Sequence, residues 1–237
     1  MKPLIPKQHG AWAMLLIPFL VGIFAGQPSM IHIPLFGGWL LLYLGTYPLL
    51  MFLKGKRREF YLKWTFIYMF PALICLVVAL IINYKLIYFG IVMLPFFVVN
   101  VYFAKKNQER ALLNDMSAIT SFSIGGVASY YGGTGTIDFV AIGILLLSMF
   151  FFIGSTFYVK TMIREKKNNA YRWLSWGYHL GIIVILFVSG YPWFIIAYIP
   201  SVVRAFYFYG KNVSVLKVGI WEIINAVYFF LVVVVLV

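Results

Sequence analysis

The sequence predicts an all-α protein, a polytopic membrane helix bundle of about nine transmembrane helices, and three observations carry that prediction. The first is composition: of 237 residues, 63% are hydrophobic and only 11% are charged. A water-soluble domain carries roughly 25% charged residues and has no means of hiding so much apolar surface. The second is spacing. Apolar runs near the length of about 20 residues that a bilayer core demands alternate with short polar links along the whole chain. The third is charge placement, since all but Lys85 of the 19 lysines and arginines fall in or beside every second link. The period-two alternation of a barrel strand is absent, and open strands would leave backbone groups unpaired in lipid, so the spans are helices.

The first span, 10–26, follows a short basic start and looks superficially like a signal peptide. Pro18 interrupts its apolar run and everything after it is membrane, which marks it as a retained helix. The spans that follow are placed at 34–53, 63–82, 86–104, 115–131, 138–160, 172–189, 192–209 and 217–236. Pro18, Pro48, Pro71, Pro95 and Pro200 lie inside spans and predict kinks, which packed bundles tolerate. The whole of 1–237 is thus expected to be one integral membrane domain. A single cysteine, Cys75, excludes an intrachain disulfide and a cysteine-based metal cluster.

Charge then sets orientation. Lys2 and Lys7 precede the first span; Lys54, Lys56, Arg57, Arg58 and Lys63 join the second to the third. Lys105, Lys106 and Arg110, then Lys160, Arg164, Lys166, Lys167 and Arg172, then Arg204, Lys211 and Lys217 mark the later links of the same side. Excess Lys and Arg face the cytoplasm, so the N-terminus is expected there. The net charge of +13 is therefore topogenic in the main. It does not form the continuous basic groove that nucleic acid needs, and nucleic-acid binding is set aside.

An internal echo runs through the chain. GTYPLLMFLKGKRREFYLKW from Gly45 and GSTFYVKTMIREKKNNAYRW from Gly154 align without gaps, pairing Thr46 with Ser155, Lys63 with Arg172 and Trp64 with Trp173. This points to a duplicated unit, with halves at roughly 10–104 and 115–209 and an extra helix at 217–236. Parallel repeats of this kind place shared sites near their common axis.

Polar residues in or near lipid ask for a reason, because burying them there is costly. Arg204 and Glu222 are candidates for an ion pair tying the eighth span to the ninth, or for a ligand-facing role. His179 reads as a packed histidine bonding a carbonyl. His9 stands at the entry of the first span, where a phosphate contact and a plain interfacial position are both open. In NQERALLND, Arg110 and Asn114 are spaced to stack on a helix, while Asn114 or Asp115 can cap the fifth span. In GSTFYVKTMIREKK, Ser155, Tyr158 and Met162 share a stripe. Lys160 and Arg164 form a cationic pair that calls for an anion, with Glu165 pointing elsewhere.

The motifs KQHGAWAML (7–15), ERALLND (109–115) and FYVKTMIRE (157–165) resemble those of the YwiC-like family of bacterial multi-pass membrane proteins, essentially end to end. In layout the chain is also similar, more distantly, to the UbiA superfamily of intramembrane prenyltransferases, which implies two pseudo-repeated four-helix units plus one helix. Those enzymes hold Mg²⁺ and a prenyl diphosphate between two Asp-rich motifs. STFY (155–158) resembles the start of the second, with Ser155 at its first Asp. Here Glu59 and Glu165 are the lone acids of the corresponding links, and Mg²⁺ needs more oxygen ligands than that. Mg-dependent prenyl transfer is therefore doubtful, and neither metal nor cofactor is expected.

A basic rim can hold a phosphate directly. The leading expectation is a lipid-handling protein of the bacterial cytoplasmic membrane whose cavity opens to the cytoplasm. Its partners would be membrane lipids, isoprenoid or quinone-like in the tail. The anionic head group would be held by Lys54, Arg57, Arg58, Arg110, Lys160 and Arg164, and oriented by His9, Asn114 and Asp115, with Ser155, Tyr158 and Glu165 alongside. The alternative is a small-solute or ion transporter.

Overall fold

The computed structural model describes residues 3–6 and 9–237. The described residues form nine α-helices: α1 His9–Ala25, α2 His32–Leu53, α3 Arg58–Ile82, α4 Ile87–Lys105, α5 Leu112–Thr134, α6 Phe139–Ile163, α7 Asn169–Val188, α8 Ile195–Tyr207 and α9 Val215–Leu236. Short 3-10 turns at Tyr84–Leu86 and Pro192–Phe194 lead into α4 and α8. Six stretches are long and apolar enough to cross a membrane, namely α2, α3, α4 with its leading turn, α6, α7 and α9. The chain is thus an all-helical, multi-pass membrane bundle, as its composition requires.

The helix ends differ from expectation where polar residues continue a helix beyond its apolar run. α3 begins at Arg58 rather than 63, because Arg57 takes a left-handed conformation (φ 33°) that turns the chain and lets REFYL wind at once. α8 is only 13 residues long and hands the rest of its stretch to the 3-10 turn before it. At about 1.5 Å per residue it spans roughly 20 Å, two thirds of a bilayer core.

By packing, the described residues divide into two compact units: residues 3–6 with 18–145, and residues 9–17 with 146–237. The change of unit falls at Pro18 within α1 and at Leu145 within α6.

In the first unit α2 packs along α3, and α4 packs on α5. Phe19, Ile31, Leu35, Ala79, Leu86 and Tyr131 form its buried core, with Phe36 and Phe89 against it. α5 is the polar exception among the long helices. Its run SFSIGGVASYYGG is rich in small residues, and Ser123 and Ser129 are fully buried. Small residues let backbones approach in a membrane, where packing replaces the hydrophobic drive. A Cβ on Gly126 would lie 2.6 Å from the Pro18 carbonyl oxygen, so α1 and α5 touch backbone to backbone there. Ser129 Oγ donates to the Phe19 carbonyl at 2.9 Å, and His32 Nε2 lies 2.9 Å from the Ser129 carbonyl. α4 is the opposite case, with many of its residues exposed and Ala104 its one buried residue.

In the second unit Tyr158, Met162, Ala205 and Val218 bring α6, α8 and α9 together. Phe151 stacks on Phe229 at 4.1 Å, and the Tyr198 hydroxyl donates to the Leu147 carbonyl at 2.7 Å.

Candidate functional site

The expected site residues fall into two groups, one in each unit. In the first unit they gather where α2 ends and α5 begins. Lys54, just past the end of α2, donates from Nζ to Asn107 Oδ1 at 3.0 Å and forms an ion pair with Glu109. Asn107 sits in a left-handed turn (φ 55°), a conformation that asparagine accepts more readily than most residues. The Asn114 amide donates to the Glu109 carbonyl at 2.8 Å. The Lys54 hydrogen bond holds the Glu109 carboxyl below the usual carboxylate range.

Two expectations fail here. The residue that caps α5 is Ala111, with no side-chain bond, and Asn114 and Asp115 lie inside the helix. They sit one turn too late to cap because the polar segment LLND is already helical. Arg110 precedes α5, so it does not stack on Asn114 along a helix face. Arg57, Arg58 and Arg110 are exposed. Arg110 and Asp115 each engage other groups.

The second group is buried deeper. Glu222 sits two turns into α9, not one, because that helix starts at Val215. That is about 10 Å from its start at 1.5 Å per residue. Its carboxylate takes an ion pair from Arg204 Nη1 on α8 and a hydrogen bond from Ser155 Oγ on α6. The Arg204 guanidinium lies over the Tyr158 ring of α6, 4.5 Å from its centre. Its side chain is 5% exposed and that of Glu222 is 14% exposed, so both ions are largely withdrawn from solvent. One turn along α9, Asn225 donates to Ser201 of α8 at 2.9 Å. On α7, His179 is buried, with Nδ1 2.7 Å from the Ser175 carbonyl. A carbonyl only accepts, so Nδ1 carries a proton and, in the neutral ring, Nε2 is the bare nitrogen. A Cβ on Gly154 would lie 3.2 Å from that Nε2, so the glycine of GSTFY is what admits the imidazole.

Each of α6, α7, α8 and α9 therefore contributes two polar side chains three or four residues apart: Ser155 and Tyr158, Ser175 and His179, Ser201 and Arg204, Glu222 and Asn225. Their hydrogen bonding is incomplete. Arg204 Nε and Nη2, the Tyr158 hydroxyl, Ser175 Oγ, His179 Nε2 and Asn225 Oδ1 are buried without a partner among the described residues. An unmet buried polar atom costs about 1–3 kcal/mol. Beside Ser155 and Glu222 opens a small pocket of about 20 Å³ with apolar walls of Ala13, Met14, Phe151, Phe152 and Ala226. In the first unit a larger groove, about 130 Å³, is lined by apolar side chains such as Leu35, Trp39, Leu76 and Met93.

Lys160 is buried on α6, whereas Arg164 lies just past the helix end and is exposed, so the two cations do not share an environment. Lys160 engages another group, and Glu165 accepts from Asn168 at 3.0 Å. His9 opens α1, and its side chain lies outside the described residues. Among the described residues no three His, Cys, Asp or Glu side chains gather as a metal would require. Sequence reasoning passed over Ser175, Ser201 and Asn225, and left His179 as a core residue. The signal was the repeated spacing of polar pairs near the ends of the last four spans.

Comparison with known proteins places the chain. No solved structure matches it. Over 229 residues it is 49% identical to "Uncharacterized protein YwiC" of Bacillus subtilis (strain 168), covering 97% of this chain and 96% of that protein. It is 44% identical over 232 residues to "Uncharacterized protein" of Haemophilus influenzae, covering 98% of each. The family model described as "YwiC-like protein" matches residues 5–130. With a matching family model and near-full-length relatives alike, the chain belongs to the YwiC-like family.

Proposed function

We propose that this protein binds a membrane-borne amphiphile, with the head group in the buried polar cluster of α6–α9 and the tail along apolar walls. The observation that carries the reading is the set of unpartnered polar atoms around Arg204, beside an apolar pocket. Ionisable groups inside a membrane segment are expensive and mark ligand or ion pathways by default. The charge that the sequence placed at the rim is partly matched, because Lys54 is paired with Glu109. That shifts the expected head-group contact from the loops to the interior cluster. In this reading the protein lies in the bacterial cytoplasmic membrane with its N-terminus in the cytoplasm, and no metal takes part.

Thermal melting of the purified protein tests it, with geranylgeranyl diphosphate and with geranylgeraniol, in the presence and absence of Mg²⁺ and chelator. A ligand at about 100 times its Kd stabilises by about 2.7 kcal/mol, which moves a melting curve by several degrees. Stabilisation that survives chelator is the expected result. No shift from either compound under any condition sinks the proposal. A second reading, ion or small-solute transport, is favoured by one observation, the Arg204–Glu222 pair within membrane segments. Solute-driven or proton flux in proteoliposomes that disappears in Glu222→Gln would support it over static binding.

A further inference from the structure

Arg204 offers a specific chemistry. A guanidinium has two usable sides: an end bearing Nη1, and an edge where the Nε and Nη2 protons project in parallel. Here Nη1 is spent on Glu222. The Nε and Nη2 edge is buried and unpartnered, and the flat face is covered by Tyr158. That edge is the fork which takes two oxygens of one carboxylate or phosphate at once. The Tyr158 hydroxyl is a further unpartnered donor on the same residue whose ring carries the guanidinium.

Resting on the reading that the cluster holds a ligand's head, we infer that the head is an oxyanion gripped by the Nε and Nη2 edge of Arg204, and that it binds together with one proton taken up by Glu222. The charge balance requires the proton. In the ligand-free cluster Arg204 and Glu222 sum to zero. An anion on that unpartnered edge would leave two negative charges on one buried guanidinium, and an uncompensated buried charge is heavily penalised. Anion and proton entering together restore neutrality: Arg⁺, Glu⁻, ligand anion and H⁺ become Arg⁺, neutral Glu and ligand anion. Glu222 then keeps its acceptor oxygen towards Nη1 and gains an O–H.

The charged and titratable groups around Glu222 are few. α8 supplies Arg204, and α6 supplies Tyr158 with Lys160 buried further along. α7 supplies His179, buried and bonded to the Ser175 carbonyl. From α1, Ala13 and Met14 are neutral; the His9 side chain lies outside the described residues. Lys160, buried on the same helix as Tyr158, could supply the balancing charge instead of a proton, and the test separates the two.

Calorimetry on the purified full-length protein at pH 7, in two buffers of different ionisation heat, counts protons taken up on binding. The probes are laurate, dodecyl phosphate and dodecanol. The expected result is binding of laurate, dodecyl phosphate or both, with about one proton taken up per ligand, and at least about 10-fold weaker binding of dodecanol with none. Whichever of the two anions binds tighter identifies the head group as carboxylate or phosphate. Arg204→Lys keeps the charge but loses the fork, and weakens anion binding at least about 10-fold while sparing dodecanol. Glu222→Gln mimics the protonated acid, binds the anion more tightly and takes up no proton. Anion binding without proton uptake in the wild-type protein overturns the inference and hands the balancing role to Lys160. Equal binding of all three probes overturns it too, yet leaves amphiphile binding intact. Failure of all three to bind overturns it as well. If the geranylgeranyl compounds also leave the melting curve unmoved, the reading beneath it falls with it.

Discussion

At the scale of single residues, the ion pairs Lys54–Glu109 and Arg204–Glu222 differ several-fold in consequence. Lys54–Glu109 has its carboxylate side chain 38% exposed, so solvent screens it, and a contribution of at most about 1 kcal/mol is expected. Its pH dependence has a definite sign. The Glu109 carboxyl is held below its ordinary value, so the pair stabilises above the unfolded carboxylate range and is lost as pH falls through the depressed value. Melting curves of wild-type protein and Glu109→Gln in detergent should therefore differ most near neutral pH and converge in acid. Arg204–Glu222 is another matter. Glu222→Leu leaves a buried guanidinium without its carboxylate and should cost about 3–5 kcal/mol. Combining it with Arg204→Met should recover much of that loss, because the pair as a whole repays only part of its desolvation. Melting of the two variants side by side checks both statements.

At the scale of helices, glycine positions separate close crossings from open faces. Gly126→Ala would drive a methyl into the Pro18 carbonyl, backbone that has nowhere to go. A loss of about 1–3 kcal/mol is expected, as for an overpacked core. Gly143 on α6 and Gly219 on α9 face open space, and Ala there should hold or slightly raise the melting temperature through better helix propensity. Gly154→Ala stands between these cases. Its methyl would press on His179 Nε2 and Tyr178, side chains that can shift by a few tenths of an ångström. A small stability change with a larger change in amphiphile binding is the expected pattern. The start of α6 depends on Asp138, whose Oδ1 accepts from the Val140 and Ala141 amides at 3.0 and 3.1 Å, while Tyr130 donates to its Oδ2 at 2.8 Å. The Tyr130 hydrogen bond, followed by the backbone bonds, keeps its carboxyl below the ordinary value. Asp138→Ala should loosen this end of the helix, read as faster amide exchange near residues 139–141.

At the scale of the molecule, charge asymmetry and helix count make one joint prediction. If all nine helices cross, the termini lie on opposite faces, and the proposed orientation puts the basic links on the side of the N-terminus. In a Cys75→Ala background, a cysteine at Lys106 or Lys211 should resist a membrane-impermeant maleimide added to intact cells, whereas one at Thr136 should react. Labelling in the reverse pattern would overturn the proposed orientation. Much of the fold was legible beforehand because hydrocarbon thickness fixes helix length, and apolar runs announce themselves. The widest gap lies at α5, expected as a span at 115–131 but absent from the six described stretches long and apolar enough to cross a membrane. What seats SFSIGGVASYYGG is burial against α1, α2 and α4, and a one-dimensional apolar count does not register neighbours.

The sequence by itself determined the class, the order and near-limits of the helices, and the family through KQHGAWAML, ERALLND and FYVKTMIRE. These follow from local properties: hydropathy per span, charge per link, identity per motif. Tertiary structure alone decided which polar residues meet. Lys54 and Glu109 are 55 positions apart, and Ser155 and Glu222 are 67 apart. Nothing local in either segment names its partner. Packing also reversed the weight given to the loop cations, leaving Arg57, Arg58, Arg110 and Arg164 exposed while it drew Arg204 and Lys160 inside. The reason is that a charge near a helix end can either reach water or be turned inward, and the neighbouring helices, absent from any single stretch of sequence, settle which.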